Sequence, residues 1–322
     1  MPPQVATIIL NWQDAEQTLR CIAAAAATTY PNQCLYVFDN GATDASRVAL
    51  APLAGQAVLL ENPVNLGYTG GNNRAITRAL ADGAEYVWLL NSDAITGPAV
   101  LASLVALAEA DPDVGIVTPL IRDNPQAAHC EFAGALADFQ ACAVETTGDS
   151  ATGREWQDRF PDRFVVVGTA MLLRRRLIET IGLFDEQMFA YAEDTDYAIR
   201  SLRAGFANRV DFAVEVYHQA KSDIRQPHGY YYMNRNAVRL WRKHVGRLGG
   251  LRALAAVANR ALRDVERFTD GHERQTDAAL AGLWDGIRGV TGAYDPDRRM
   301  PFPLAGPLKR RPALFRWLLR WL

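Results

Sequence analysis

Five acids fall between Gly182 and Arg200 in a run studded with aromatics: Asp185, Glu186, Glu193, Asp194 and Asp196, among Phe184, Phe189, Tyr191 and Tyr197. Acids are seldom buried unless paired or working. A carboxylate between aromatic walls suits a general base, because partial desolvation lifts its pKa towards working pH. The plainer reading is a solvated loop with N-capping acids, and the Glu193-Asp194 pair alone does not separate the two.

Other candidate groups lie upstream. Asn91-Ser-Asp93 follows the apolar run Tyr86–Leu90. An acid at the end of a buried strand can hold a hard divalent cation that also binds a diphosphate, although a turn-stabilising Asp reads the same way. Asp39-Asn-Gly-Ala-Thr-Asp44 fits either an Asx turn or a carboxylate accepting hydrogen bonds from a nucleotide's base or ribose. Asn65-Leu-Gly-Tyr-Thr-Gly-Gly-Asn-Asn73 is a Gly-rich loop opening a helix, whose backbone N–H groups could approach a ligand closely. It lacks the Gly-Lys-Ser/Thr of a Walker loop, and no Gly-x-Gly-x-x-Gly follows the first strand. His218 ends a strand-like segment and suits a metal or phosphate contact as well as a structural role. His129, His228, His244 and His272 sit in no readable site and are expected at the surface.

The elements that must position these groups alternate. Strands are expected over Val5–Leu10, Leu35–Phe38, Ala57–Glu61, Glu85–Leu90 and Val114–Pro119. Helices are expected over 14–28, 46–54, 74–81 and 98–110. This alternation with short connections implies a parallel α/β sheet covered on both faces. Ligands then sit beyond the carboxyl ends of the strands, where Asn11, Asp39, Asn62–Asn65 and Asp93 fall. Residues 124–161 read as irregular. A strand is expected over Val165–Leu173 and a helix over 195–204, with Asp194 at its N-cap, Gly205 just past its end, and Asp196 and Arg200 spaced to pair.

The bulk composition sets limits. The 322 residues carry a formal net charge of −2, which excludes the basic excess of a general nucleic-acid binder. The cysteines, Cys21, Cys34, Cys130 and Cys142, form no Cys-x-x-Cys pair and suggest neither zinc nor a disulfide framework. The first residues show no signal-type pattern, and no segment is long enough to span a bilayer, so a cytoplasmic protein is expected.

Six segments in order carry a resemblance: Ile8-Ile-Leu-Asn-Trp12, Tyr36-Val-Phe-Asp-Asn-Gly-Ala-Thr-Asp44, Asn62-x-x-Asn-Leu-Gly-Tyr-Thr-Gly-Gly-Asn72, Leu89-Leu-Asn-Ser-Asp93, Gly182–Arg200 and Tyr231-Tyr-Met-Asn-Arg-Asn236. From about Val5 to Arg239 the chain resembles the inverting glycosyltransferases of family 2, particularly the rhamnosyltransferase-like enzymes of bacterial surface-polysaccharide assembly. The resemblance implies a GT-A nucleotide-diphospho-sugar transferase fold: an α/β domain with a mostly parallel central sheet flanked by helices. The catalytic domain would be 1–244, with a nucleotide-binding half over about 1–120 and an acceptor half over about 121–244. A helical extension, 245–322, would follow.

The same resemblance implies the site. Asp194, in the Glu193-Asp194 pair, would be the base that deprotonates the acceptor. Asn11, Asp39, Asn65, Gly67, Gly71, Asn72, Asn91 and Asp93 would bind the donor, with Asp39 on the nucleoside. Asp93 and His218 would hold a divalent metal, Mg2+ or Mn2+. Asn91 departs from the family's Asp-x-Asp pattern and removes one negative charge. The implied donor is a nucleotide sugar, dTDP-rhamnose or a UDP-sugar, and the implied acceptor a saccharide linked to polyprenyl diphosphate.

Residues 309–322 combine Trp317, Trp321 and several leucines with five cations. A helix of about ten residues is roughly 15 Å long and cannot cross a core of about 30 Å. It fits a peripheral contact with the inner face of the membrane, a helix docked on the protein, or a homodimer contact. Two competing functions fit less well. A sugar-nucleotide nucleotidyltransferase resembles a Gly-rich, basic loop after the first strand, where this chain has Asn11-Trp-Gln-Asp14. A non-catalytic scaffold of the same fold would not require Asp39, Asp93 and Asp194.

Overall fold

A computed structural model describes residues 1–123, 130–218, 226–268 and 272–319. Short β-branched and aliphatic runs form the first strands, β1 (Val5–Asn11) and β2 (Gln33–Asn40). Between them runs the Ala-rich helix α1 (Ala15–Ala26), whose first turn is closed by the Asp14 carboxylate accepting from Gln17 N at 3.0 Å. Helix α2 (Asp44–Leu50) starts on a capping box in which Thr43 and Ser46 satisfy each other's backbone N–H groups. Then come β3 (Val58–Asn62), α3 (Gly67–Ala81), β4 (Tyr86–Asn91), β5 (Ala94–Thr96), α4 (Val100–Ala110) and β6 (Val114–Arg122).

The segment expected to be irregular has structure of its own: β7 (Gly134–Asp138), β8 (Ala143–Thr147) and α5 (Ser150–Arg159). Asp149 caps α5, accepting from Thr152 N at 2.9 Å. The strand expected over Val165–Leu173 is divided into β9 (Phe164–Val165) and β10 (Ala170–Arg174), because β9 pairs with β7 while β10 enters the main sheet. Next are α6 (Arg175–Ile181), α7 (Glu193–Arg203) and β11 (Ala207–His218). Helix α8 (Pro227–Arg267) is kinked at Gly246, where φ is +71°. It is followed by α9 (Glu273–Arg288), α10 (Phe302–Arg310) and α11 (Pro312–Leu318).

The main sheet runs β3-β2-β1-β4-β10-β6-β11-β5. Strands β3, β2, β1 and β4 are mutually parallel, β10 is antiparallel to both neighbours, and β6 and β11 are again parallel. Its centre is apolar on both faces: Ile8, Ile9, Trp88 and Leu89 are at most 1% exposed, as expected for strands covered on both sides.

The chain forms two compact units. The first comprises Met1–Leu136, Glu145–Glu186 and Glu193–Lys221, and contains the main sheet. The second comprises Ala137–Val144, Gln187–Ala192 and Ser222–Leu322, in which α8 packs on α9 around an aromatic core of Tyr230, Tyr231, Tyr232 and Phe268. The four cysteines are free. No described helix is long and apolar enough to cross a membrane.

Candidate active site

Parallel pairing sets the first part of the site. Asn11 lies opposite Asp39, and Leu10 lies opposite Asn91, so β2, β1 and β4 end together at one edge of the sheet. Asn11 is buried and donates from Nδ2 to Asp39 Oδ1 at 2.7 Å, while Thr18 Oγ1 donates to Asn11 Oδ1 at 2.7 Å. Ser46 donates to the other Asp39 oxygen at 2.6 Å. The Asp39 carboxylate is thus aimed by Asn11 and Ser46, and Thr18 fixes the Asn11 amide in turn. None of Thr18, Asn11 or Ser46 needs to touch a ligand to do this.

The Gly-rich segment is not a loop. Helix α3 begins at Gly67, so Gly70, Gly71, Asn72 and Asn73 lie inside it. Asn40 organises the entry: its Nδ2 donates to Asn65 Oδ1 at 3.0 Å and Gly67 O at 2.9 Å, and its Oδ1 accepts from Leu66 N at 2.8 Å. Gly67 has φ of +77°, the left-handed region that favours glycine. A Cβ at Gly71 would stand 2.4 Å from Leu10 Cδ1 and 3.2 Å from Asn40 Nδ2, so this glycine lets α3 lie against β1. Asn72 is buried and donates back to Tyr68 O at 2.9 Å. Both residues therefore hold the helix in place rather than present an open face.

The acid cluster is distributed over several tasks. Asp196 is fully buried and pairs with Arg200 Nε at 3.0 Å, whose other nitrogens donate to Ile181 O and Leu183 O. Glu186 accepts from Asn73 Nδ2 at 3.0 Å, and Asn73 also bonds the backbone N–H and C=O of Phe184. These bonds tie the segment before α7 to α3. Helix α7 begins at Glu193, so Asp194 lies in its first turn rather than at the N-cap position expected from the sequence.

Asp194 is the enclosed carboxylate. Its Oδ2 accepts from Gly168 N at 2.9 Å and its Oδ1 from Thr195 N at 2.6 Å. Burial pushes its pKa above the ordinary carboxylate value, and these hydrogen bonds oppose that rise. Glu193 is 7% exposed. Burial and then the neighbouring Asp194 push its pKa up to about 8, and its Oε2 has no hydrogen-bond partner. A Cβ at Gly168 would stand 3.2 Å from Asp194 Cβ, a contact that would move the Asp194 side chain by a few tenths of an ångström. The Tyr68 hydroxyl donates to Gly168 O at 3.2 Å. Its pKa is raised first by burial and then by the negative charges of Glu193, Asp194 and Asp93, which places all three carboxylates within electrostatic reach of one phenol.

Asp93 lies just beyond β4, with a side chain 35% exposed and 3.3 Å from His218 Nε2. The other ring nitrogen, Nδ1, is 2.8 Å from Glu131 Oε2. Burial lowers the His218 pKa, but hydrogen bonds and charge from Asp93 and Glu131 outweigh it and raise the value to about 10. Among the described residues, no three His, Cys, Asp and Glu side chains form a closed metal cage. Asp93 and His218 leave an open pair that suits a divalent cation completed by substrate phosphates and water, provided that the imidazolium gives up its Nε2 proton as the cation enters. Glu131 then has the position of the carboxylate that commonly orients a ligating imidazole.

Sequence reasoning missed Asn40, Tyr68, Glu131 and Gly168 as parts of this arrangement. Asn40 and Tyr68 sit inside motifs that were visible, but Glu131 is separated by 87 residues from the histidine it orients. Of the histidines expected at the surface, His244 is buried at 6% exposure, and His129 lies outside the described residues. The Tyr231–Asn236 segment works within the second unit. Arg235 donates to Met188 O at 2.7 Å, and Asn236 Nδ2 donates to Met188 O, Ala190 O and Tyr191 O at 2.7–2.8 Å. This segment holds a backbone with φ of +63° at Phe189, +70° at Tyr191 and +69° at Ala192, immediately before Glu193.

The profile described as Glycosyltransferase like family 2 matches residues 2–231. An N-acetylglucosaminyl-diphospho-decaprenol L-rhamnosyltransferase of Mycobacterium tuberculosis is 28% identical over 226 residues, covering 65% of this chain and 74% of the relative. The galactofuranosyltransferase GlfT1 of the same organism is 26% identical over 209 residues, covering 63% and 65%. Among solved structures, the mannosyltransferase PcManGT from Pyrobaculum calidifontis, in complex with GDP-Man and Mn2+, aligns with a TM-score of 0.59 at 18% identity, covering 99% of this chain and 84% of that one. S. aureus TarS aligns at 0.56 and 16% identity, covering 98% and 54%. The fold is accordingly of the GT-A type.

Proposed function

Because the chain belongs to glycosyltransferase family 2, we propose that this glycosyltransferase uses Asp194 to deprotonate an acceptor hydroxyl that displaces a nucleoside diphosphate from a sugar, inverting the anomeric centre. The observation that carries this reading is the held, pKa-raised Asp194 carboxylate sharing its surroundings with Asp93. The proton must leave as the new bond forms, and a base within hydrogen-bond reach takes it. Gly168 N–H orients one oxygen of that base. Glu193, neutral below about 8, adds no second negative charge beside it.

On the donor side, Asp39, aimed by Asn11 and Ser46, receives the nucleoside. Asn65 and Gly67 line the start of α3, and Gly71 and Asn72 keep that helix seated. Asn91 ends β4, two residues before Asp93. A divalent cation, Mg2+ or Mn2+, held by Asp93 and His218 would offset the negative charge that builds on the departing diphosphate. Catalysis is assigned to residues 1–244 and the helical extension to 245–322.

By likeness to the decaprenol-linked relative, the donor is dTDP-rhamnose or a UDP-sugar, and the acceptor is a lipid-linked saccharide of bacterial polysaccharide assembly at the inner face of the membrane. A thermal-shift screen across nucleotide sugars, with and without Mn2+, tests the donor: a bound donor raises the melting temperature by mass action. Metal-dependent stabilisation by one nucleotide class is the expected result. No shift with any nucleotide sugar would remove the donor assignment.

A further inference from the structure

We propose that the outward face of α11 is a docking surface for a bilayer containing anionic phospholipid. Phe302 is 76% exposed, Leu304 46%, Leu314 44%, Trp317 52% and Leu318 46%, an unusual concentration of large apolar side chains on two short consecutive helices. On α11 the exposed residues Leu314, Trp317 and Leu318 follow i, i+3, i+4 spacing and so share one face. Phe315, Arg316 and Leu319 occupy the other face and are partly covered.

The cations divide in the same way. Arg316 turns inward to Glu266 and Asn259 of α8, and Lys309 pairs with Asp277 of α9, which anchors both helices. Arg310, the last residue of α10, and Arg311, between the two helices, are exposed and pair with no acid among the described residues. An apolar face beside exposed arginines suits an interface where side chains enter the acyl boundary and guanidinium groups meet lipid phosphate. A helix of seven residues, about 10 Å long, lies in that interface and does not cross it. The membrane setting rests on the lipid-linked acceptor proposed above, whereas the surface rests on these side chains.

The test is flotation of the full chain with phosphatidylcholine vesicles, with and without phosphatidylglycerol, alongside light scattering and transfer to a short-chain soluble acceptor. Wild type is expected to float with the anionic vesicles and far less with the neutral ones. Leu314→Asp combined with Leu318→Asp should lower the bound fraction about tenfold or more, as should Arg310→Ser combined with Arg311→Ser, with soluble-acceptor transfer unchanged. The arginine pair is exposed and keeps the test valid if the leucine pair misfolds. Equal flotation with both vesicle types, or flotation unchanged in the arginine pair, overturns the proposal. So does a wild-type dimer that the leucine pair converts to monomer without loss of lipid binding, since a second copy would then cover the face. A chain that floats as expected but transfers no sugar would count against the catalytic reading alone.

Discussion

Replacing Glu193 by Gln is expected to stabilise the fold at alkaline pH and to flatten its pH dependence. The folded state keeps the Glu193 proton up to about 8, against an ordinary 4.5. Between those values the folded chain binds more protons than the unfolded one, so stability falls as pH rises through the window. The interval from 4.5 to about 8, at about 1.36 kcal/mol per tenfold change in proton affinity, sets a ceiling of about 5 kcal/mol. Relaxation and water entry around a newly charged group take up part of that, leaving an expected loss of about 2 kcal/mol in the wild type. Gln keeps the shape and cannot ionise. Urea unfolding at about pH 5.5 and about pH 8.5 should therefore show the wild type losing about 2 kcal/mol more than the variant. Parallel curves for the two proteins would refute the claim that Glu193 is held neutral by burial and by Asp194.

Gly168→Ala should push Asp194 off its backbone donor, because the added Cβ meets it at 3.2 Å; kcat should fall with donor affinity unchanged, and an unaltered kcat would contradict the positioning. Gly71→Ala should cost about 1–2 kcal/mol of stability by driving α3 off Leu10, read as a lower urea midpoint, and an unchanged midpoint would show that the contact yields freely. Glu131→Gln should weaken Mn2+ binding about tenfold or more by releasing the His218 ring, measured by titration calorimetry in the presence of nucleoside diphosphate. Chelation of divalent metal and Asp93→Ala should each stop transfer; full turnover in excess chelator would rule out the metal role.

The pattern of the sheet was legible because its strands are buried on both faces and read as continuous apolar runs, as in Val5–Leu10 and Tyr86–Leu90. The polar residues ending those runs were legible for the same reason: parallel strands deliver their carboxyl ends to one edge. Short range is where the reading failed. The Asn65–Asn73 run looks like a loop because glycine disfavours helix, yet packing against Leu10 and Asn40 outweighs that propensity and Gly71 becomes a contact point. Residues 124–161 read as irregular because, in the described part from 130 onward, β7, β8 and α5 are short and individually weak signals. The Asp196–Arg200 pair was visible in its four-residue spacing, whereas the His218–Glu131 contact has no local signature.

The most direct test of the central claim is single-turnover sugar transfer by Asp194→Asn, with donor binding measured on the same preparation. The amide preserves the shape and leaves an oxygen to accept from Gly168 N–H, but it cannot take a proton. Transfer should fall by about a hundredfold or more while the donor dissociation constant stays within about twofold. Transfer at the wild-type rate would contradict the account, because the carboxylate would then not be the group that accepts the acceptor's proton.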